Sequence, residues 1–224
     1  MTATLEVVAD AEEAARRGAA LIALAGQVAV EERGGFALAM SGGRTPWLML
    51  AVLGHLEEMP WAKTDLFQVD ERIAAPGSED RNLTHLIMGL SIDHQSALRP
   101  MPVTSRDLES AAREYEESLP ERFDLVHLGL GADGHTASLV PGDPVTEVGD
   151  RRIALTEQPY QGHRRMTLTY PALAGARRIL WLVTGEKKRD ALAKLLAGDR
   201  SIPAGRVEND EIIVVADRAA AGEL

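Results

Sequence analysis

Apolar runs of strand length alternate with helix-length segments along this chain, and three of the runs lead straight into glycine-rich or charged loops. Phe36 to Met40 leads into Ser41-Gly42-Gly43-Arg44-Thr45-Pro46, Leu66 to Val69 into Asp70-Glu71-Arg72, and Phe123 to Leu130 into Gly131-Ala132-Asp133-Gly134-His135. Strand–helix alternation reads as βαβ units, giving an α/β fold with a mostly parallel sheet and helices on both faces. In such a sheet ligands sit beyond the carboxyl ends of the strands. The three loops are therefore predicted to converge on one crevice.

Local signals fill in the rest. Thr4 to Ala9 reads as a strand. Asp10 and Glu13 form a capping-box-like start to a helix that runs to about Glu32 and stops at Gly34-Gly35. Thr45 as N-cap with Pro46 behind it predicts a helix to about Glu58. A polar loop spans 74–80, a short helix 82–90, and residues 91–104 show little periodicity. Ser105 is predicted to cap an amphipathic helix that ends before Pro120. Further strands are expected near 152–156, 166–169, 178–183 and 211–216, with a helix from about Glu186 to Ala197 and a fraying tail. No repeat or flexible linker interrupts the pattern, so residues 1–224 are expected to form one domain, with room for a small subsidiary lobe.

Composition narrows the chemistry. The 224 residues include no cysteine, which excludes disulfides, thiolate metal sites and a cysteine nucleophile. The net charge of −10 argues against a nucleic-acid binder. That charge is divided: residues 1–150 carry a net −14 and residues 151–224 a net +4. Arg164-Arg165 and Lys187-Lys188-Arg189 are the evident anion-binding candidates, although solvated helix charges would look the same. No run approaches the ~20 apolar residues of a membrane span, and the first ten residues lack a secretory pattern. A cytoplasmic location with no membrane contact is the default.

The loops carry the candidate chemistry. Glycines in Ser41–Thr45 let backbone approach a ligand, and a helix start behind them offers free N–H groups to an anion. A tight β–α turn needs the same residues, and the segment alone leaves both readings open. Asp70 and Arg72 could orient a base and grip an anion, or simply cap a strand with solvated charge. Residues 129–134 satisfy G-x-G-x-x-G, but Pro141-Gly142 leaves no room for the long helix a dinucleotide site needs. What this loop supplies is His135, a base that works near neutral pH, with Asp133 close enough to fix its tautomer. His127, alternating with apolar residues, reads as a satisfied core histidine. His55, His85 and His94 read as surface residues, and His163 as a residue bordering a site. No histidine spacing matches a zinc site and no serine-hydrolase elbow is present. Neither a metal nor a cofactor is expected.

The stretch Gly129-Leu-Gly-Ala-Asp-Gly-His-Thr-Ala-Ser-Leu-Val-Pro141 closely resembles the signature loop of the 6-phosphogluconolactonases. Ser41–Pro46, Asp70-Glu71-Arg72, Asn82, Arg165–Thr169, Pro171-Ala172-Leu173, Val183-Thr184-Gly185 with Lys188, and Pro203–Val207 resemble further motifs of that family, in family order. Arg81 and Gly205 stand where serine is common, and Val140 where phenylalanine is common. The resemblance implies a Rossmann-like fold of the sugar-phosphate isomerase/lactonase type. It implies hydrolysis of 6-phospho-D-glucono-1,5-lactone, the second step of the oxidative pentose phosphate pathway. In that reading His135 is general base, Asp70 orients or supports it, and Arg72 or the glycine-loop N–H groups hold the oxyanion. Arg165, Lys188 and the backbone of Ser41, Gly42, Gly43, Arg44 and Thr45 hold the phosphate, and Asn82, Gly131 and Asp133 complete the binding set. The partner is a small phosphosugar lactone, and the chain is expected to be a monomer or weak homo-oligomer. Two alternatives stand beside this one. A glucosamine-6-phosphate deaminase/isomerase would need a glutamate where Val140 stands, and a non-catalytic sugar-phosphate-binding domain would keep the pocket without turnover.

Overall fold

The computed structural model describes residues 3–222. In chain order the strands are β1 (Ala3–Val8), β2 (Phe36–Met40), β3 (Thr64–Gln68), β4 (Asp70–Arg72), β5 (Leu98–Arg99), β6 (Leu125–Gly129), β7 (Ile153–Leu155), β8 (Arg165–Leu168), β9 (Ile179–Val183) and β10 (Ile212–Asp217). The α-helices are α1 (Ala11–Arg33), α2 (Arg44–Leu53), α3 (Asn82–Gly89), α4 (Leu108–Glu117), α5 (Tyr170–Ala174), α6 (Arg189–Leu196) and α7 (Arg218–Ala221). Seven strands form a parallel sheet in the order β1-β10-β9-β6-β2-β3-β5. The chain order reverses between β6 and β2, which is the switch point where such sheets bind ligands. Among the described residues no helix is long and apolar enough to cross a membrane.

The central strands β2, β6 and β9 are buried on both faces, which is why they read as nearly unbroken apolar runs rather than alternating ones. Leu38, Leu66, Leu125 and Leu180 face α1 and α2, together with Ile22 and Leu50. Their neighbours Phe67, Val126, Leu128, Trp181 and Val214 face the opposite core. Adjacent strand residues thus divide between the two cores with period two. Helix α1 lies flat on its core because its buried side is almost all Ala and Gly. At Gly18 a Cβ would come within 2.6 Å of Met49 Sδ.

The subsidiary element is a three-stranded antiparallel sheet in the order β4-β8-β7. Val69 is its hinge with the large sheet. Its N–H donates to Met40 O at 3.0 Å, and its carbonyl accepts from Leu168 N at 2.8 Å. The Asp70–Arg72 loop of the sequence reading is therefore a strand, clamped on one side by Arg165–Thr167.

Several helix ends differ from expectation. Asp10 does cap α1 through Glu13 N–H, but the returning Glu13 carboxylate takes Ala9 N–H, one residue earlier than in a standard capping box. Helix α2 starts at Arg44 behind Gly43, whose φ of 129° no L side chain adopts readily, and it has no side-chain cap. Thr45 is already inside it, and its hydroxyl pairs instead with Thr184 Oγ1 at 2.6 Å. The helix ends at Leu53, not near Glu58, because Gly54 and the following turn intervene. Asp107, not Ser105, caps α4 by accepting from Ser110 N–H. The tail does not simply fray: Asp217 caps the short α7.

Candidate active site

A cleft of about 560 Å³ opens at the switch point. The loop after β2 supplies Ser41 to Pro46, the β4 strand supplies Asp70 and Arg72, and the loop after β6 supplies Gly131 and His135. Asn82, Arg165 and Lys188 close it from α3, β8 and the turn before α6. Thus the predicted residues Ser41, Gly42, Gly43, Arg44, Thr45, Asp70, Arg72, Asn82, Gly131, His135, Arg165 and Lys188 share one cavity. The late basic segments each contribute one cation to the cavity. Arg164 is spent on Thr156 O, and Arg189 on Glu186 and Ala219 O.

Asp133 is the exception: it does not line the cleft but stands behind His135. Its Oδ1 lies 2.5 Å from His135 Nδ1 and also accepts the His135 backbone N–H at 3.2 Å. The histidine beside it holds the Asp133 carboxyl well below the usual carboxylate range, against a smaller opposing effect of burial. An ionised carboxylate only accepts hydrogen bonds, so Nδ1 is the protonated nitrogen of neutral His135. The lone pair is left on Nε2. No helix follows Gly134; the chain turns from Gly131 to Ser138, so the G-x-G-x-x-G match lacks the helix of a dinucleotide fingerprint. The glycine at 131 serves the dyad instead. A Cβ there would fall 2.0 Å from His135 Nδ1 and 2.4 Å from Asp133 Oδ1.

Asp70 is placed differently from its expected role. Among the described residues its carboxylate bonds Ser138 Oγ at 2.6 Å and Asn82 Nδ2 at 3.4 Å, and pairs with Arg165 Nη1 at 3.7 Å. It does not bond His135; Asp133 fixes the imidazole. Asp70 is instead the counter-charge of Arg165, which is 4% exposed and also bonds Tyr160 O through Nη2. Burial lowers the Arg165 pKa from its ordinary value, with Asp70 opposing. Among the described residues Arg165 Nε and Ser41 Oγ are buried without a protein partner, and both residues line the cleft.

Arg72 is aimed by two bonds from Nη1, to Asp80 O at 2.8 Å and to Asn82 Oδ1 at 2.9 Å. Asn82 packs so closely on the glycine loop that a Cβ on Gly42 would sit 2.1 Å from its Oδ1. Arg81, where serine is common, turns away and places Nε 3.4 Å from the buried Glu71 carboxylate. Gly205, also at a common serine position, is required here: a Cβ would lie 2.0 Å from the Asp199 carbonyl oxygen. Burial lowers the Lys188 pKa from 10.5, with Asp133 opposing.

The structure adds residues that the sequence reading did not assign. Thr184, Gln161 and Leu182 line the cleft, and Tyr160 touches His135 from outside it. Ser138 lies inside the quoted signature stretch, so position alone could have flagged it. Tyr160 carries only a Gln-Gly turn as its sequence mark. His127 is in the core as expected, but among the described residues neither ring nitrogen has a protein partner, and burial drives its pKa to about 3. His163 lies beside the site with Nε2 3.3 Å from Asp80 Oδ2.

The family model described as glucosamine-6-phosphate isomerases/6-phosphogluconolactonase matches residues 9–215. The chain belongs to this family. A 6-phosphogluconolactonase of Synechocystis sp. is 35% identical over 88% of both chains. A 6-phosphogluconolactonase of Nostoc sp. is 31% identical over 100% of this chain and 99% of its own length. Among solved structures, a 6-phosphogluconolactonase from Thermotoga maritima superposes with a TM-score of 0.85 at 25% identity, covering 96% of this chain and 99% of that one. A monomeric glucosamine-6-phosphate deaminase superposes almost as well, with a TM-score of 0.80 at 21% identity over 97% of this chain and 98% of that one. The fold is thus common to both activities, and the site must separate them.

Proposed function

We propose that this chain, acting as one α/β unit, hydrolyses 6-phospho-D-glucono-1,5-lactone to 6-phospho-D-gluconate. The observation that carries the reading is the Asp133–His135 pair, which leaves a basic Nε2 beside a cleft furnished with guanidinium and ammonium groups. A lactone is a cyclic ester. Its hydrolysis needs water deprotonated as it attacks C1, a stabilised oxyanion, and a proton for the departing ring oxygen. His135 takes the water proton and then returns it to the ring oxygen as the C1–O bond breaks. Arg72 and the loop N–H groups face the developing oxyanion. The phosphate is held by Arg165, Lys188 and the uncapped N–H groups of Arg44 and Thr45 at the start of α2. A deaminase is disfavoured by Val140, which offers no proton-transferring group.

The test is acid release from freshly prepared lactone above its spontaneous rate, run beside ammonia release from glucosamine 6-phosphate. Lactone turnover with no ammonia is expected; the reverse pattern would sink the assignment. A protein that binds 6-phosphogluconate but adds no rate would be a sensor instead.

Lys188 makes a second prediction. Its cation aids phosphate binding only while protonated, and its pKa lies below the ordinary lysine value. Affinity for 6-phosphogluconate is therefore expected to fall as pH rises toward 10, earlier than an ordinary lysine would dictate. Lys188→Met should weaken binding ~10-fold at pH 7 and flatten this dependence. Calorimetric titration from pH 7 to 10 checks it; an equally steep decline in the variant would remove Lys188 from the phosphate site.

A further inference from the structure

Tyr160 brings a hydroxyl to the Asp133–His135 pair that the hydrolytic scheme above does not use. The pair sits at the rim of the cleft, and the Asp133 side chain is 40% exposed. A carboxylate so placed can rotate away from its histidine unless its second oxygen is held. Here Oδ2 accepts from the Tyr160 hydroxyl at 3.0 Å, while Oδ1 serves His135. The same hydroxyl lies 3.3 Å from His135 Nδ1. That nitrogen already carries a proton directed at Asp133, so the phenol's own proton goes to the carboxylate.

Tyr160 is itself held through its ring, its carbonyl and its backbone. Its ring meets the His135 imidazole edge to face, with centroids 5.0 Å apart. The Arg165 guanidinium lies 5.2 Å from its centroid, and Arg165 Nη2 donates to its carbonyl at 3.0 Å. The backbone is held by a two-residue hairpin in which Tyr160 pairs with His163. The central residues Gln161 and Gly162 have φ of 51° and 86°, the left-handed geometry such a turn demands. One residue therefore contacts the base through its hydroxyl and the buried arginine through its carbonyl.

We infer that Tyr160 is a positioning residue for the hydrolytic base, holding Asp133 in the rotamer that fixes the His135 tautomer. The inference rests on the assignment of His135 as general base. Tyr160→Phe separates the roles, because it keeps the ring, the hairpin and the carbonyl bond to Arg165 and removes only the hydroxyl.

In the full chain, Tyr160→Phe is expected to lower kcat ~10-fold with KM within about two-fold, since Arg165 stays clamped. In an Asp133→Asn background the same change should cost nothing further, because the hydroxyl acts through Asp133. A kcat within two-fold of the parent, or an equal loss in both backgrounds, overturns the inference. Nitrogen-15 NMR of the imidazole reads positioning without turnover: the Nδ1–H tautomer should dominate in the parent and lose population in Tyr160→Phe. An unchanged tautomer ratio also overturns it. A shifted ratio in a protein without lactonase activity would instead retain Tyr160 as a positioning residue and discard the hydrolytic reading.

Discussion

Replacing His135 by alanine is expected to lower kcat for lactone hydrolysis by roughly 10²–10⁴-fold, the usual worth of a positioned general base. KM should move little. The imidazole contributes no positive charge to phosphate binding when neutral, and Arg165 is held by Tyr160 O and Asp70 rather than by the imidazole. The fold should also survive. His135 is half-buried at the cleft rim, and its side chain bonds only Asp133 and Tyr160 among the described residues. Its loop is anchored by backbone bonds, from Gly131 N to His135 O at 2.8 Å and from Ala204 N to Gly134 O at 2.9 Å. Asp133→Asn should fall in the same direction, because an amide no longer dictates which imidazole nitrogen keeps the proton. Steady-state kinetics against fresh lactone, corrected for spontaneous opening, decide the matter. A His135→Ala enzyme that retains a third or more of parent kcat would exclude the general-base role and leave charge stabilisation by arginine as the main agent.

The large sheet was legible because its central strands are buried on both faces and are bounded by glycine or charge. Phe36–Met40 is the clearest case: its predicted and observed ends coincide. The capping errors share one cause. Thr45 and Ser105 are good local caps, but Thr45 finds Thr184 across the cleft, and Ser105 bonds backbone within the turn that precedes Asp107. Tertiary partners and turn geometry outweighed a propensity of about 1 kcal/mol. The site was legible as a set of loops, since glycine, histidine and arginine after strand ends are local signals. Of its pairings only Asp133–His135, two residues apart in one loop, was legible. Asp70 reads in the sequence as a residue that orients or supports His135, yet β4 runs antiparallel to β8 and directs Asp70 to Arg165. That sheet joins residues almost a hundred positions apart, and no local pattern announces it. Tyr160 was missed for the same reason, as its role exists only once the hairpin carries it back to the signature loop.

Glu71 shows how far the site depends on a residue that does not touch the cleft. Its side chain is fully buried. Oε1 accepts from Arg72 N at 2.8 Å and Asn82 N at 2.7 Å, while Oε2 accepts from Leu83 N at 2.8 Å and Gln68 Nε2 at 2.9 Å. Helix α3 has no side-chain cap of its own, so this carboxylate, borrowed from β4, satisfies its first N–H groups and complements its dipole. The buried Arg81 guanidinium leans on the same oxygen at 3.4 Å. Glu71→Ala strands these donors and a buried cation together, which is expected to cost about 3–5 kcal/mol. For a chain of this size that is a fall in Tm of roughly 6–20 °C. Asn82 and Arg72 should loosen with it, so KM should rise before unfolding intervenes. Arg81→Met added to Glu71→Ala removes the unpaired cation and should recover part of the loss. Thermal melts of the two variants test this. If Glu71→Ala melts within 2 °C of the parent, α3 is held by its apolar face through Leu86, and the carboxylate cap contributes little. If the double variant melts no higher than the single one, the unpaired backbone N–H groups, not the stranded guanidinium, account for the loss.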